Sequence, residues 1–411
     1  MTDLSYGEFT AEKMKSILCA SSGSRRVKFR YEIIRTGAVF GALPVSAASV
    51  RWSKDAAIKR TARLTVGESE IEWLSDRIKI WMLVQLPDEV TAAGGNTWGD
   101  VSQYSWEQIA RHTWGAIADG SFSAPERVEQ WAEFPLGLFI PSTVTKNYEI
   151  GESYSVEAYD LSVILQEDAI TDRLFFPAGT LYTAAVESVL VSAGVDRANI
   201  IKSDSALNTA REWAAGTAKL SIINELLAEI NYDSLSVSPD GIFEAKPYTA
   251  PTAENVSISY AADELSVLRA ESATDLAAFS APNVFVGIVS NPDYTGDGDL
   301  PDSFSFTYTN NNPASPLSTV NRGRSIVEVL QPNDIASQAD LEDFVRRRAF
   351  AAEQVYETSA ISTALMPIHK GGDVLAIQHP SVSGIFEETA WEMALEAGGQ
   401  MTHTVRRVRI V

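Results

Sequence analysis

The chain has 411 residues, 45% hydrophobic and 21% charged, which supplies apolar material for two to four domain cores and excludes a disordered polymer. A net charge of −21 excludes ordinary DNA binding, because an acidic surface displaces no counterions from phosphates. A single cysteine, Cys19, excludes an intrachain disulfide and a cysteine zinc site.

No run approaches the roughly 18 apolar residues of a membrane span, and the opening MTDLSYGEFTAEKMKSILCASSGSRR lacks the apolar centre of a signal peptide. The expectation is a soluble protein made in a cytosol, with no membrane binding. Residues 1–24 read as an N-terminal arm: a short helix over Ala11 to Cys19, then the polar joint Ala20-Ser21-Ser22-Gly23-Ser24.

Residues 25–168 read as a β domain. Val27, Phe29, Tyr31 and Ile33 alternate with Lys28, Arg30 and Glu32, the period of a half-buried strand. Ser49–Ser53, Ile58–Val66, Arg77–Leu86, Pro135–Pro141 and Tyr154–Leu165 continue the strand series, and this spacing suggests a sandwich or barrel. An insertion at about 92–132 carries four of the nine tryptophans: Trp98, Trp106, Trp114 and Trp131. Trp106, Ile109 and Trp114 fit one helical face. Such an aromatic concentration suits an interface or local packing, with a sugar platform as the other reading.

Residues 169–252 change period. Leu181, Tyr182, Ala185, Val186, Val189 and Leu190 make one helical stripe ended by Gly194, and Leu220, Ile223, Leu226, Leu227 and Ile230 make a second. Pro239-Asp240-Gly241 then turns a hairpin, so this zone reads as a small α+β domain.

Residues 253–411 return to strands. Asn283–Val289 and Ser325–Leu330 flank a polar loop at about 290–322. Asp334 or Ser337 is placed to cap a helix running to about Thr358. Ser359–Met366 and Asp373–Gln378 read as strands, and a terminal hairpin turns at Gly398-Gly399.

Chemistry-bearing motifs are sparse. His112, His369, His379 and His403 show no metal-ligand spacing on a helix face and read as buried or strand-surface histidines. Asn291 to Asp302 alternates carboxylates with glycines but lacks the spacing and closing glutamate of a calcium loop, so it reads as a solvated tip. Arg346, Arg347 and Arg348 are consecutive on a helix, point in different directions, and are expected to pair with Glu342, Asp343 or a neighbouring chain. Glu387, Glu388, Glu392 and Glu396 read as a solvated strand surface, with no acid–nucleophile pair singled out. No nucleophile elbow, zincin motif or phosphate loop is present, so no catalytic residue and no cofactor is assigned.

The stretches FPLGLFIPST, YSVEAYDLSVILQED and AGTLYTAAVESVLVSAG, and later the helix with Arg346–Arg348 followed by HKGGDVLAIQHP and the terminal hairpin, resemble baseplate hub proteins of bacteriophage tails from about residue 25 onward. The resemblance implies an α+β, mainly β chain with two β-barrel-like tube domains flanking the small α+β domain. It implies a homotrimer whose six tube domains form a pseudo-hexameric ring, joined to a tail tube or distal tail protein on one side and a tip, spike or fibre on the other. Tape measure protein or DNA would pass transiently through an acidic lumen of a virion particle assembled in the host cytoplasm. Trp98, Trp106, Trp114, Trp131 and Arg346–Arg348 are then the interface candidates. Two alternatives remain open: a distal-tail or receptor-binding adhesin using the tryptophans, and a carbohydrate-active β-protein.

Overall fold

The alternating segments pair into one sheet of fourteen strands. The computed structural model describes residues 6–7, 9–19, 25–87, 89–92, 125–147, 153–261, 268–269, 274–275, 280–290, 303–332, 335, 337–354, 358–380 and 382–407. From one end the sheet runs Leu268–Arg269, Thr358–Ala364, Gln400–Arg407, Ser383–Ala394, Val45–Ser53, Arg60–Gly67, Ser153–Asp160, Trp131–Asn147, Arg77–Gln85, Val27–Arg35 and Ala38–Ala42. Ile258–Ala261 lies parallel to Val374–Gln378, which in turn pairs with Ser383–Ala394. The order is open, so no barrel closes among the described residues.

The two β zones separated in the sequence are continuous in this sheet. Val45–Ser53 pairs antiparallel with Ser383–Ala394, placing Trp391 opposite Trp52 and Met393 opposite Val50. All four side chains are buried. Both tryptophans lie on one sheet face, where directly opposed side chains are cross-strand neighbours.

Two strand expectations need correction. The segment Tyr154–Leu165 is not one strand: it extends from Ser153 to Asp160, and Ser162–Glu167 is helical. The buried Asp160 carboxylate accepts from the Ser162 amide at 2.9 Å and the Arg60 amide at 2.8 Å, turning the chain although apolar residues continue beyond it. The polar loop at about 290–322 contains the strand Ser303–Thr309, which pairs antiparallel with Val284–Ser290. Phe306 and Tyr308 on this strand pack against an apolar core.

The α+β segment packs helices Tyr182–Ser192 and Lys219–Glu229 around Val186, Leu190, Ile223 and Leu227. Gly194 takes a left-handed φ of 74° after the first helix. Gly241 does the same at 77° in the turn joining Ser236–Val237 to Phe243–Ala245. Arg211, buried beneath the second helix, binds both Glu225 and Glu229.

A second, three-stranded sheet is ordered Ser303–Thr309, Val284–Ser290 and Val327–Leu330. Helix Gln338–Gln354 covers one face, its stripe Leu341, Val345, Ala349 and Ala352 meeting Phe285 and Val289. Gly287 permits this approach, since a Cβ there would lie 2.4 Å from Val345 Cγ2. Ser337 caps the helix: its hydroxyl accepts from the Asp340 amide at 3.1 Å and donates to the Asp340 carboxylate at 2.6 Å. The helix is described from Gln338 to Gln354, and the next strand begins at Thr358.

Backbone proximity divides the chain into two units. One comprises Phe29–Trp81 with Pro135–Val411, and holds the three-stranded sheet, most of the large sheet and the α+β segment. The other draws on Leu4–Lys28 and Met82–Phe134. Its helix Ala11–Leu18 is capped by Thr10 and buries Met14, Ile17 and Leu18. A ribbon pairs Glu89–Ala92 with Pro125–Val128.

Candidate interaction site

The three consecutive arginines diverge around their helix. Arg346 is exposed, lies 4.0 Å from Glu342, and holds its guanidinium 5.0 Å from the Phe306 ring centre. Arg347 donates to the Tyr232 carbonyl at 2.6 Å, pairs with Asp233 at 3.2 Å and lies over Tyr248 at 4.2 Å. Burial pushes the Arg347 guanidinium below its usual range, with Asp233 opposing the shift. Arg348 turns the other way and binds Glu328 at 2.8 Å.

Arg346 and Arg347 border a cavity of about 410 Å³ whose apolar wall includes Tyr248, Tyr308 and Phe350. Asp343 is the single carboxylate in its lining. Such a hollow suits an apolar side chain accompanied by negative charge, because guanidinium groups bordering a hydrophobic wall favour both.

A different polar cluster lies in the main sheet. Glu388, expected on a solvated strand, is completely buried. Its two carboxylate oxygens meet His369 Nδ1 at 2.8 Å and His403 Nδ1 at 2.5 Å. Tyr260 Oη lies 2.7 Å from His369 Nε2, and Thr363 Oγ1 lies 2.8 Å from His403 Nε2. The neighbouring Glu387 is also buried and pairs with Lys54. A register shift between Glu388 and Ala390 accompanies this inward placement, so the solvated-surface reading fails for both carboxylates.

Both Nδ1 atoms face an ionised acceptor, so both carry the proton. Burial alone would lower His369, but the charge and hydrogen bond of Glu388 hold it above the ordinary histidine range. Burial lowers His403, opposed by Glu388. Burial would raise Glu388, but the two histidines hold it below the carboxylate range. Protonation of His369 against an ionised Glu388, with His403 neutral, would leave the buried group without net charge.

His369, Glu388 and His403 also have the donor types of a metal site, with ligand atoms within 4.8 Å of one another. Their contacts to Glu388 are hydrogen-bond lengths, shorter than the roughly 3.3 Å between donors on a tetrahedral ion with bonds of about 2.0 Å. The arrangement fits a proton-sharing network better than an ion centre.

Of the tryptophan candidates, Trp131 is half-buried on its strand with the Lys28 ammonium 3.9 Å from its ring centre. Trp98, Trp106 and Trp114 lie outside the described residues, as do His112 and the acidic stretch 291–302. Among the described residues no helix is long and apolar enough to cross a membrane.

The mainly β fold is similar to that of solved tail proteins. The tail protein from Neisseria meningitidis MC58 superposes with a TM-score of 0.60 at 9% identity, covering 92% of this chain and 96% of that one. The 43 kDa tail protein of prophage MuSo2 from Shewanella oneidensis gives 0.55 at 9% identity, covering 92% and 98%. No family model and no curated protein sequence matches. The likeness read from the sequence is thus present at the level of fold, across nearly the whole chain.

Proposed function

We propose that this chain is a structural baseplate hub of a phage-type tail, acting through assembly and not through catalysis. The observation that carries this reading is the fold shared with two tail proteins over 92% of the chain. A continuous sheet built from both ends of the chain supplies the rigidity a load-transmitting ring requires.

In this reading three copies form a ring with pseudo-sixfold character, each contributing two tube-like β regions drawn from residues 25–168 and 253–411. The ring joins the tail tube or distal tail protein to a tip, spike or fibre within the virion. Closed symmetry limits growth and covers sheet edges. The charge of −21 supports an acidic lumen along which DNA or tape measure protein slides without sticking. Burial of Glu387 and Glu388 removes them from the carboxylates available to a glycan.

Sedimentation and electron microscopy of the purified chain, alone and with its tail tube protein, test the proposal. Threefold rings are expected. A chain that remains monomeric in both conditions overturns it, and a neutral or basic channel wall in the ring overturns the acidic lumen.

A further inference from the structure

Leu74 is fully exposed, yet the turn presenting it is firmly held. The buried Asp76 carboxylate accepts from Arg35 Nε at 2.9 Å, from Arg35 Nη2 at 2.7 Å and from the Glu72 amide at 2.8 Å. Arg35 also binds the Glu70 carbonyl, while the Ser75 and Asp76 amides both donate to the Glu72 carbonyl. Next to Leu74, Trp73 packs its ring 5.5 Å from Tyr154. The result is an apolar tip on a braced loop whose exposed flanks carry Glu68, Glu70 and Glu72.

Full exposure means that this leucine adds no burial energy to its own fold, whereas its rigid mounting lowers the ordering cost of a contact. The complementary feature is the cavity beside Arg346 and Arg347. It has aromatic walls from Tyr248, Tyr308 and Phe350, and about 410 Å³ receives a leucine side chain. In a chain of charge −21, copies repel one another unless a contact joins opposite charges. An acidic loop meeting a rim where the exposed Arg346 and the Asp233-paired Arg347 outnumber the one lining carboxylate, Asp343, supplies that match.

We infer that the Leu74 loop of one copy seats in the Tyr248–Tyr308–Phe350 cavity of a second copy, with its glutamates facing Arg346 and Arg347. The contact is heterologous, joining two different surfaces, and repetition of such a contact closes into a ring when its rotation permits. The inference rests on the proposed assembly of like copies and specifies one surface pair within it.

The test uses the full chain with Cys19→Ser and Leu74→Cys, labelled at position 74 with a benzophenone maleimide and mixed with isotopically heavy, unlabelled copies. Illumination followed by peptide mass mapping is expected to yield adducts between copies on residues 248–250, 308 or 343–350. Leu74→Asp in the otherwise native chain is expected to weaken self-association by about tenfold or more in sedimentation, as does Arg346→Glu. Adducts elsewhere or only within one copy, or unchanged association of both variants, overturn the inference while leaving the hub reading intact wherever the native chain still forms threefold rings. A native chain that stays monomeric, with or without tail tube protein, overturns both.

Discussion

Trp391 stands directly opposite Trp52 across the ladder that joins the C-terminal strands to the N-terminal ones. Both rings are buried, and the Arg60 guanidinium lies 5.9 Å from the Trp391 ring centre. This pair binds regions that are distant in sequence into one sheet, making it a sensitive point for cooperativity.

Trp391→Ala opens a cavity at that junction. The expected loss is about 3–5 kcal/mol, the cost typical of a large aromatic removed from a core. Urea unfolding followed by circular dichroism measures it. A loss below about 1 kcal/mol would show that the ladder does not depend on this ring.

Glu388→Ala leaves two buried histidines without their shared acceptor. Breaking such a buried charged network costs about 3–5 kcal/mol. Glu388→Gln retains volume and an acceptor, so it is expected to lie between the native chain and the alanine variant in the same measurement. Equal stability of the native chain and Glu388→Ala would contradict the network's role.

Stability is expected to peak between mildly acidic and mildly alkaline pH. Glu388 is held below its ordinary value, so its contribution is present above about pH 4.3 and lost as pH falls through the lower folded value. His403 is also lowered, and its contribution is lost as pH falls below about 6.5 toward its folded value. His369 is raised, so its contribution is complete below about pH 6.5 and is lost as pH rises through its folded value. Calorimetric midpoints from pH 4 to 9 report these limbs. Glu388→Gln should flatten the alkaline limb, because the carboxylate supplies the upward shift of His369.

Gly287→Ala forces a methyl group toward Val345 and Leu341. Overpacking of this kind costs about 1–3 kcal/mol. A companion Val345→Ala substitution should recover part of the loss, and a thermal melt of the three variants checks the coupling. Additive losses without recovery would place the strain elsewhere.

Much of the local structure was legible in the sequence. Alternation from Val27 to Ile33, the helical stripes from Tyr182 and from Leu220, the Pro239-Asp240-Gly241 turn and the Ser337 cap all correspond to observed features, whereas Leu181, expected on the first stripe, lies exposed at the helix N-cap. The signal fails where composition and period disagree. Phe304, Phe306 and Tyr308 alternate with small hydroxyl residues, but their neighbourhood is so rich in Asn, Gly and Pro that it reads as loop. At Asp160 the reverse occurs: apolar residues continue while one buried carboxylate diverts the backbone.

The candidate sites were less legible than the elements that carry them. The outward divergence of Arg346, Arg347 and Arg348 follows from helical geometry, but their neighbours do not. Tyr248 and Tyr308 reach the arginine cavity from separate strands or loops, and nothing in their own neighbourhoods announces it. Tyr260 and His369 are 109 positions apart, and no local spacing anticipates their bond.

By itself the sequence determined the acidic charge, the mainly β pattern, two amphipathic helical stripes and a likeness to tail hub proteins. These depend on composition and on neighbours a few residues apart, where side-chain direction repeats with the backbone. Only the tertiary structure decided that both ends share one sheet, that Glu388 lies between two histidines, and that Leu74 projects from a braced turn. Those outcomes arise from long-range register and from which groups lose water, quantities that exist only once distant segments meet.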